Sequence, residues 1–247
     1  MIYTVFMSID YSIIVPAYNE SMWLTKTLLV LKKAMAASSL TGEIIVCNNN
    51  STDNTAELAQ EQDATVVFEP VNQISRARNT GARTANGKYL IFVDADTLIS
   101  PELLVAALER LQSGRCCGGG TVVRFDQQIT YLQEKGLAAW TWLSKTLGLA
   151  AGCFIFCHRQ DFEKIGGFSE AVYASEEIWF SKQLKRMGKK RGAPFCIITD
   201  YPAISSGRKM QWFSLWQQFW LIVLLTVFPF AVRYKSLCNF WYKRPDS

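Results

Sequence analysis

Two aspartates flank one small residue in Asp94-Ala95-Asp96, directly after the apolar run Tyr89-Leu90-Ile91-Phe92-Val93. Alternate side chains of an extended chain point the same way, so both carboxylates can converge on one spot. Hard oxygen ligands of this kind suit Mg2+ or Mn2+, with a ribose or phosphate beside the cation. The same tripeptide also reads as a plain strand-ending turn, where Asp is common. A second acidic pair, Glu176-Glu177, opens an amphipathic stretch running to about Met187. Acidic residues are favoured at a helix N-terminus, and adjacent carboxylates repel, which raises the proton affinity of one of them. His158 is the one histidine of the chain. It reads as structural and leaves no Ser-His-Asp or Cys-His constellation, against a hydrolase of that type.

The elements that must position these groups alternate regularly in the first half. Ser12-Ile13-Ile14-Val15, Ile44-Ile45-Val46, Thr65-Val66-Val67-Phe68 and Tyr89–Val93 read as buried strands. Helical patterns lie between them, through Leu24, Leu28, Leu31 and Met35, through Ala56 and Ala59, and through Ala77, Ala82 and Ala85. Ser100 as N-cap and Pro101 at the first helical position open another helix, through Leu104 and Leu108 to Leu111. Such alternation predicts βαβ units and a mainly parallel α/β sheet with helices on both faces. Ligands of such sheets sit at the carboxyl ends of the strands, which places Pro16–Glu20, Asn48–Asp53 and Asp94–Asp96 on the working edge. After Gly118-Gly119-Gly120 the alternation fades. A strand at Thr121–Phe125, an aromatic stretch from Tyr131 to Leu149, an apolar run Cys153–Cys157 and the helix from Glu176 remain.

Composition narrows the class. The chain has 247 residues, 49% hydrophobic and 19% charged, which is globular. A net charge of +5 without a basic stripe is no nucleic-acid signature, though it suits a phosphorylated ligand or an anionic membrane. Seven cysteines without a CxxC pair argue against a disulfide framework or a zinc site. Cys153 and Cys157 read as buried thiols, and a reducing, cytosolic setting follows as the default. Met1–Ser8 lacks the marks of a signal peptide and reads as a lead-in to the first strand. Lys182, Lys185, Arg186, Lys189, Lys190 and Arg191 read as a solvated face, with anionic-lipid contact as the alternative. Trp212–Val232 is mostly apolar but interrupted by Ser214, Gln217, Gln218 and Pro229. It predicts a C-terminal hydrophobic helix at a membrane interface, with a full span or a soluble helix as alternatives. Arg233, Lys235, Trp241, Tyr242, Lys243 and Arg244 suit the lipid headgroup level.

Several segments together resemble the family-2 glycosyltransferases. They are Ser12–Glu20, Asn50-Ser51-Thr52-Asp53-Asn54-Thr55, Ser75-Arg76-Ala77-Arg78-Asn79-Thr80-Gly81-Ala82, and Gly87-Lys88-Tyr89 leading into Asp94-Ala95-Asp96. Gly152–Phe156, Ile165-Gly166-Gly167-Phe168 and Ser175-Glu176-Glu177 extend the match, all in family order, across roughly Ser12 to Arg208. Any one motif is short; the ordered set is specific. The resemblance implies a GT-A fold, a UDP- or GDP-sugar donor, Mn2+ or Mg2+, and an inverting, hexosyltransferase-like reaction. It places Pro16, Ala17 and Glu20 beside the nucleoside, and Arg78 at the nucleotide or bracing the aspartate loop. Asp94 and Ala95 fall near the ribose, Asp94 and Asp96 at the metal, and Arg208 at the diphosphate. Asn48 stands where the family usually has an Asp that accepts from the base; an amide also donates, which makes guanine more plausible. Glu177 matches the catalytic base, usually Asp, with Glu176 as the neighbour orienting that loop.

The division expected is one catalytic domain over residues 1–210, with a donor half at about 10–120 and an acceptor half at 121–210. A hydrophobic membrane-interface tail follows at 211–247. The acceptor implied by that tail is a lipid or polyprenyl carrier at the cytoplasmic face of a membrane, with a peripheral or monotopic enzyme; the alternative is plain cytoplasmic. Two other functions compete: a catalytically idle nucleotide-sugar-binding or scaffold protein, and a sugar nucleotidylyltransferase. The second wants a Gly-rich basic loop after the first strand, which is missing.

Overall fold

The computed structural model describes residues 8–208, 228–238 and 242, with 212, 214, 216, 217 and 220 between them. The order is β1 (Tyr11–Ala17), α1 (Leu24–Ala36), β2 (Gly42–Asn48), α2 (Thr55–Glu61), β3 (Thr65–Phe68), α3 (Ile74–Thr84) and β4 (Tyr89–Val93). There follow β5 (Thr97–Leu98), α4 (Pro101–Gln112), β6 (Gly118–Phe125), α5 (Tyr131–Leu147), β7 (Phe154–His158), α6 (Arg159–Lys164), α7 (Glu176–Lys190) and β8 (Phe195–Ser205). Eight strands join in one sheet, in the order β3-β2-β1-β4-β7-β6-β8-β5.

Strand alternation splits the core cleanly. Ile13, Val15, Val46, Ile91 and Val93 point to the face covered by α1 and α4, against Leu28, Leu31, Leu104 and Leu108. Ile14, Ile45, Leu90 and Phe92 point to the other face, beneath α3, α6 and α7. A phenylalanine cluster fills that side: Phe168 and Phe180 stack at 4.3 Å, and Phe92 meets Phe168 edge-on at 5.0 Å. Gly81 brings α3 down onto β1, since a Cβ there would lie 2.5 Å from Ile14 Cγ2. All seven thiols are free; Cys157 is buried in β7 and Cys153 is buried just before it.

The mainly parallel sheet is corrected to a mixed one. β3, β2, β1 and β4 are parallel, but β7 runs antiparallel to both β4 and β6, and β5 antiparallel to β8. The cause lies in the connection. The chain reaches β7 at the carboxyl end of β4, where the Asp94 N–H donates to the Cys153 carbonyl at 3.2 Å, so β7 has to run backwards.

The C-terminal hydrophobic helix is corrected as well. Among the described residues no helix is long and apolar enough to cross a membrane. Residues 221–227, the apolar centre of that expectation, lie outside the described residues. Beyond them the chain makes two 3-10 turns, Pro229–Arg233 and Lys235–Leu237. Val232 and Cys238 are buried against Val172 and Ala174, and the Tyr173 N–H donates to the Val232 carbonyl at 2.6 Å. Apolar residues that read as lipid-facing therefore partly serve intramolecular packing.

β6 begins with three glycines because its neighbours leave no room. A Cβ on Gly119 would lie 2.1 Å from the Cys196 carbonyl and 2.4 Å from the Phe156 ring. Gly136, inside α5, has nothing within 4 Å. Gly119→Ala is therefore expected to destabilise the protein by about 2 kcal/mol through overpacking. Gly136→Ala is expected to stabilise it by roughly 0.5–1 kcal/mol through helix propensity. Urea unfolding of the two variants side by side reads both signs; equal shifts would contradict this account of β6.

Candidate active site

β1, β2 and β4 end side by side, and their exit loops form one rim. Asn19 and Asn50 both take left-handed backbone conformations, with φ of 50° and 62°, which Asn tolerates better than most residues. The two loops are stitched together: the Asn19 N–H donates to Ser51 Oγ at 3.1 Å, and the Thr52 N–H to Asn19 Oδ1 at 2.9 Å. The Glu20 N–H donates to Thr55 Oγ1 at 2.9 Å, and the Ser21 N–H to Asp53 Oδ2 at 3.1 Å. Burial works to raise the Asp53 pKa, but hydrogen bonds from Thr55 and Ser21 outweigh it and hold the group below the ordinary carboxylate value.

A pocket opens over this rim. Pro16, Ala17, Glu20, Asp94, Ala95 and Asp96 line it, together with Tyr18, Asn49, Asn72, Ile74 and Tyr242. Asn48 is outside the lining; its Oδ1 accepts from the Ser51 N–H at 2.9 Å and closes the turn after β2. Asn49 takes the inward position. It accepts from the Gln73 N–H at 2.9 Å and donates to the Val71 carbonyl at 2.6 Å.

Arg78 stands at the centre, 1% exposed. Its Nη2 donates to Asp94 Oδ1 and to the Gly152 carbonyl, both at 2.9 Å, and its Nη1 donates to Glu176 Oε1 at 2.5 Å. Burial alone would lower its pKa; the surrounding Asp94, Glu176 and Glu177 carboxylates more than reverse that. Arg78 thus braces the aspartate loop and ties it to the acidic pair 98 positions away from it along the chain.

Glu176 and Glu177 begin α7 behind Ser175, whose φ of 60° is unusual for Ser. Backbone strain of this sort persists where surrounding contacts over-determine it, often beside functional groups. Glu176 points inward to Arg78, while Glu177 is half-buried. Burial, reinforced by the Glu176 charge, pushes the Glu177 pKa up to about 8.

Asp96 is held from the other side. The Thr27 hydroxyl donates to the Ala95 carbonyl at 2.7 Å, and the Ser206 N–H to the Asp96 carbonyl at 3.1 Å. Arg208, just past the short β5–β8 pairing, is outside the lining, but its guanidinium reaches two lining carboxylates, Asp96 Oδ2 at 3.0 Å and both Glu20 oxygens. Trp212 lies beneath it at 5.4 Å. Two carboxylates on one loop fit a small oxygen-seeking cation, since Mg2+-like ions commonly take one or two carboxylates and complete their shell with substrate phosphates. Among the described residues no group of three or more His, Cys, Asp or Glu could hold a metal by itself. Asp94 and Asp96 are the residues that would hold it, beside a ligand that supplies the rest.

Motif reading passed over several residues that shape the site. Asn79, inside the Ser75–Ala82 segment, accepts from the Phe168 N–H and donates to the Phe168 carbonyl, both at 2.9 Å. Gln73 Nε2 donates to the Glu170 and Val172 carbonyls at 2.8 Å. Tyr242 comes from the segment read as a tail. A place among Ala77, Gly81 and Ala82 on the buried side of a polar helix was the signal available for Asn79; nothing local announced Tyr242. His158 contacts the Cys116 carbonyl at 3.3 Å and Tyr89 edge-on at 5.5 Å, far from the carboxylates in role.

The family model described as "Glycosyl transferase family 2" matches residues 12–166. A Bacillus subtilis protein, "Uncharacterized glycosyltransferase YkcC", is 30% identical over 114 residues, 43% of this chain and 35% of its own. Glycosyltransferase AglE of Haloferax volcanii is 23% identical over 217 residues, 81% of this chain and 69% of its own. The chain therefore spans about a third of the length of YkcC and more of AglE. Among solved structures, the mannosyltransferase PcManGT from Pyrobaculum calidifontis, in complex with GDP-Man and Mn2+, superposes with a TM-score of 0.66 at 19% identity. That match covers 86% of this chain and 60% of the other. S. aureus TarS 1-349 in complex with UDP-GlcNAc gives 0.61 at 17% identity, over 81% and 59% of the two chains. The fold is thus of the GT-A kind, and a family match over well more than half the chain leads to a plain conclusion: the protein belongs to glycosyl transferase family 2.

Proposed function

We propose that the chain is an inverting, metal-dependent glycosyltransferase that moves a sugar from a nucleoside-diphosphate sugar to an acceptor hydroxyl. The observation that supports this reading is the buried Arg78, which holds Asp94 at one side and Glu176, the neighbour of Glu177, at the other. In this reading residues 10–120 form the donor half and 121–210 the acceptor half of one catalytic domain. Pro16, Ala17 and Glu20 receive the nucleoside, with Asn48 shaping the base end from its turn. Asp94 and Ala95 meet the ribose. Mn2+ or Mg2+ bound by Asp94 and Asp96 would neutralise charge developing on the diphosphate. Arg208 moves its guanidinium from Glu20 and Asp96 towards that diphosphate.

Glu177 takes the proton from the acceptor hydroxyl as its oxygen bonds to the anomeric carbon. The bond from that carbon to the diphosphate oxygen breaks on the opposite face, which inverts the centre. Glu176, fixed by Arg78, sets the direction of the Glu177 loop. The acceptor proposed is a lipid or polyprenyl carrier, with the protein peripheral on the cytoplasmic face of a membrane. GDP-Man and UDP-GlcNAc in the two structural relatives keep both nucleotides in view for the donor.

Thermal unfolding with UDP, GDP, CDP or dTDP, each with and without Mn2+, tests the donor site. One nucleotide at about a hundred times its Kd is expected to raise Tm by about 5–10 °C, only with metal. Asp96→Ala is expected to abolish that shift. No shift with any nucleotide would sink the transferase reading.

Glu177→Gln separates catalysis from binding. Loss of the base is expected to cut turnover by roughly 10²–10⁴-fold while the nucleotide shift stays. Because the folded-state pKa of Glu177 is raised to about 8, its contribution to stability is present at low pH and is lost as pH rises towards 8. The Tm of Glu177→Gln, measured without metal, is expected to gain on wild type from pH 5 to pH 8 and then level off. Unchanged turnover would remove Glu177 from the mechanism, and a pH-independent Tm difference would remove the raised pKa.

A further inference from the structure

A groove of about 700 Å³ runs along the outer flank of α7, against the last turn of α5. Lys145, Lys182, Lys185, Arg186 and Lys189 line it, and no carboxylate does. None of these five makes an ion pair among the described residues. Spacing explains the convergence: positions 182, 185, 186 and 189 share one helical face. Lys185 is turned into the joint and donates to the Leu147 carbonyl, which fixes α5 against α7.

α5 itself is unusual. It has 17 residues, yet Ser144 is its one buried residue. Leu137, Trp140 and Leu143 are only partly covered, and both ends of the helix are closed. Thr130 and Gln133 form a capping box, and Gly148 closes the other end in the left-handed conformation. Tyr131, Lys135, Trp142 and Lys145 follow one another along a single exposed stripe, and Lys135 lies 5.2 Å over the Tyr131 ring. Trp142 is 67% exposed and Leu147, at the mouth of the groove, 46%. Aromatic rings alternating with lysines, continuous with an uncompensated cationic groove, match the two layers of a lipid interface: acyl boundary and anionic headgroup.

We infer that the α5 stripe and the α7 groove form a docking face for an anionic membrane surface, with phosphate-bearing headgroups in the groove and Trp142 at the acyl boundary. A phosphopeptide would use the cations, and a nucleic-acid strand could also stack bases on the rings, but neither offers an apolar layer to the exposed Leu147 at the groove mouth. The face deepens the reading of a membrane-borne acceptor and rests on it for its purpose. Vesicle binding, however, needs neither donor nor turnover, so the two can fail separately.

The test is co-sedimentation of the full chain with phosphatidylcholine vesicles, with and without one third phosphatidylserine, at two salt concentrations. Binding is expected with the anionic vesicles, weakening in high salt. Each lysine or arginine near such a surface changes affinity roughly five-fold. Lys182→Gln/Arg186→Gln/Lys189→Gln is therefore expected to lose on the order of a hundred-fold while keeping the wild-type Tm and the nucleotide shift. Trp142→Ser, which leaves every cation in place, is expected to weaken binding as well. Equal binding to neutral vesicles, or wild-type affinity in both variants, would overturn the face. So would capture of soluble tripolyphosphate without any vesicle binding, which would make the groove a site for a free phosphate ligand.

Discussion

A buried guanidinium is costly unless its charge is answered, and the architecture of this protein is arranged around the two terminal nitrogens of one, whose Nε has no hydrogen-bond partner among the described residues. Arg78 is supplied by α3, Asp94 by the end of β4, the Gly152 carbonyl by the approach to β7, and Glu176 by the start of α7. Four separate stretches of chain must therefore arrive before the charge is satisfied. Removing one partner from such an arrangement typically costs about 3–5 kcal/mol, because the remaining charge stays buried without it. The same requirement couples the two halves of the sheet. α3 also holds the 168–172 loop through Asn79 and Gln73, so one helix clasps the whole second half.

The charge balance of the pocket follows from that clasp. Glu20, Asp94, Asp96, Glu176 and Glu177 crowd around two guanidinium groups, Arg78 and Arg208. Positive charge is short by design of the loops. Two consequences are visible at once: the Glu176 charge adds to burial in raising the proton affinity of Glu177, and Arg208 is drawn across from β8 onto Glu20 and Asp96. A pocket short of cations is a natural receptor for a divalent ion arriving with an anionic ligand.

Much of the first half was legible because β1, β2 and β4 are buried on both faces, while β3, with its exposed Thr65 and Phe68, is the edge of the sheet. β3 and β4 begin and end where their apolar runs do, and α4 starts at its Ser100 cap, whose Oγ accepts from the Leu103 N–H at 3.2 Å. The second half was not legible in the same way. β8 carries Thr199, Asp200 and Tyr201 through an irregularity in its pairing with β6, and Thr121 fills that gap by donating to the Ile198 and Tyr201 carbonyls. A bulge of this sort breaks the two-residue period that marks a strand. The three glycines of β6 hide a strand for a different reason: neighbouring backbone forbids the side chains that would announce it. The C-terminal segment misled through its composition, because apolar residues that pack on Val172 count the same as apolar residues facing lipid. Motif order named Asp94 and Asp96, which line the pocket, and Glu176, which Arg78 holds. The inward turn of Asn49 rather than Asn48 depends on loop geometry that a one-residue step reverses.

α7 is a single helix of 15 residues, about 22 Å long. It presents Glu177 in its first turn and Lys189 in its last. Its middle is locked to the sheet by Phe180 and Leu184, both fully buried. Such a rod cannot bend to suit whatever rests against its far end. Under the proposed function it would work as a spacer gauge: a body seated on the basic flank would sit at a set height from the glutamates, and the length of the helix would decide how far a tethered hydroxyl has to reach.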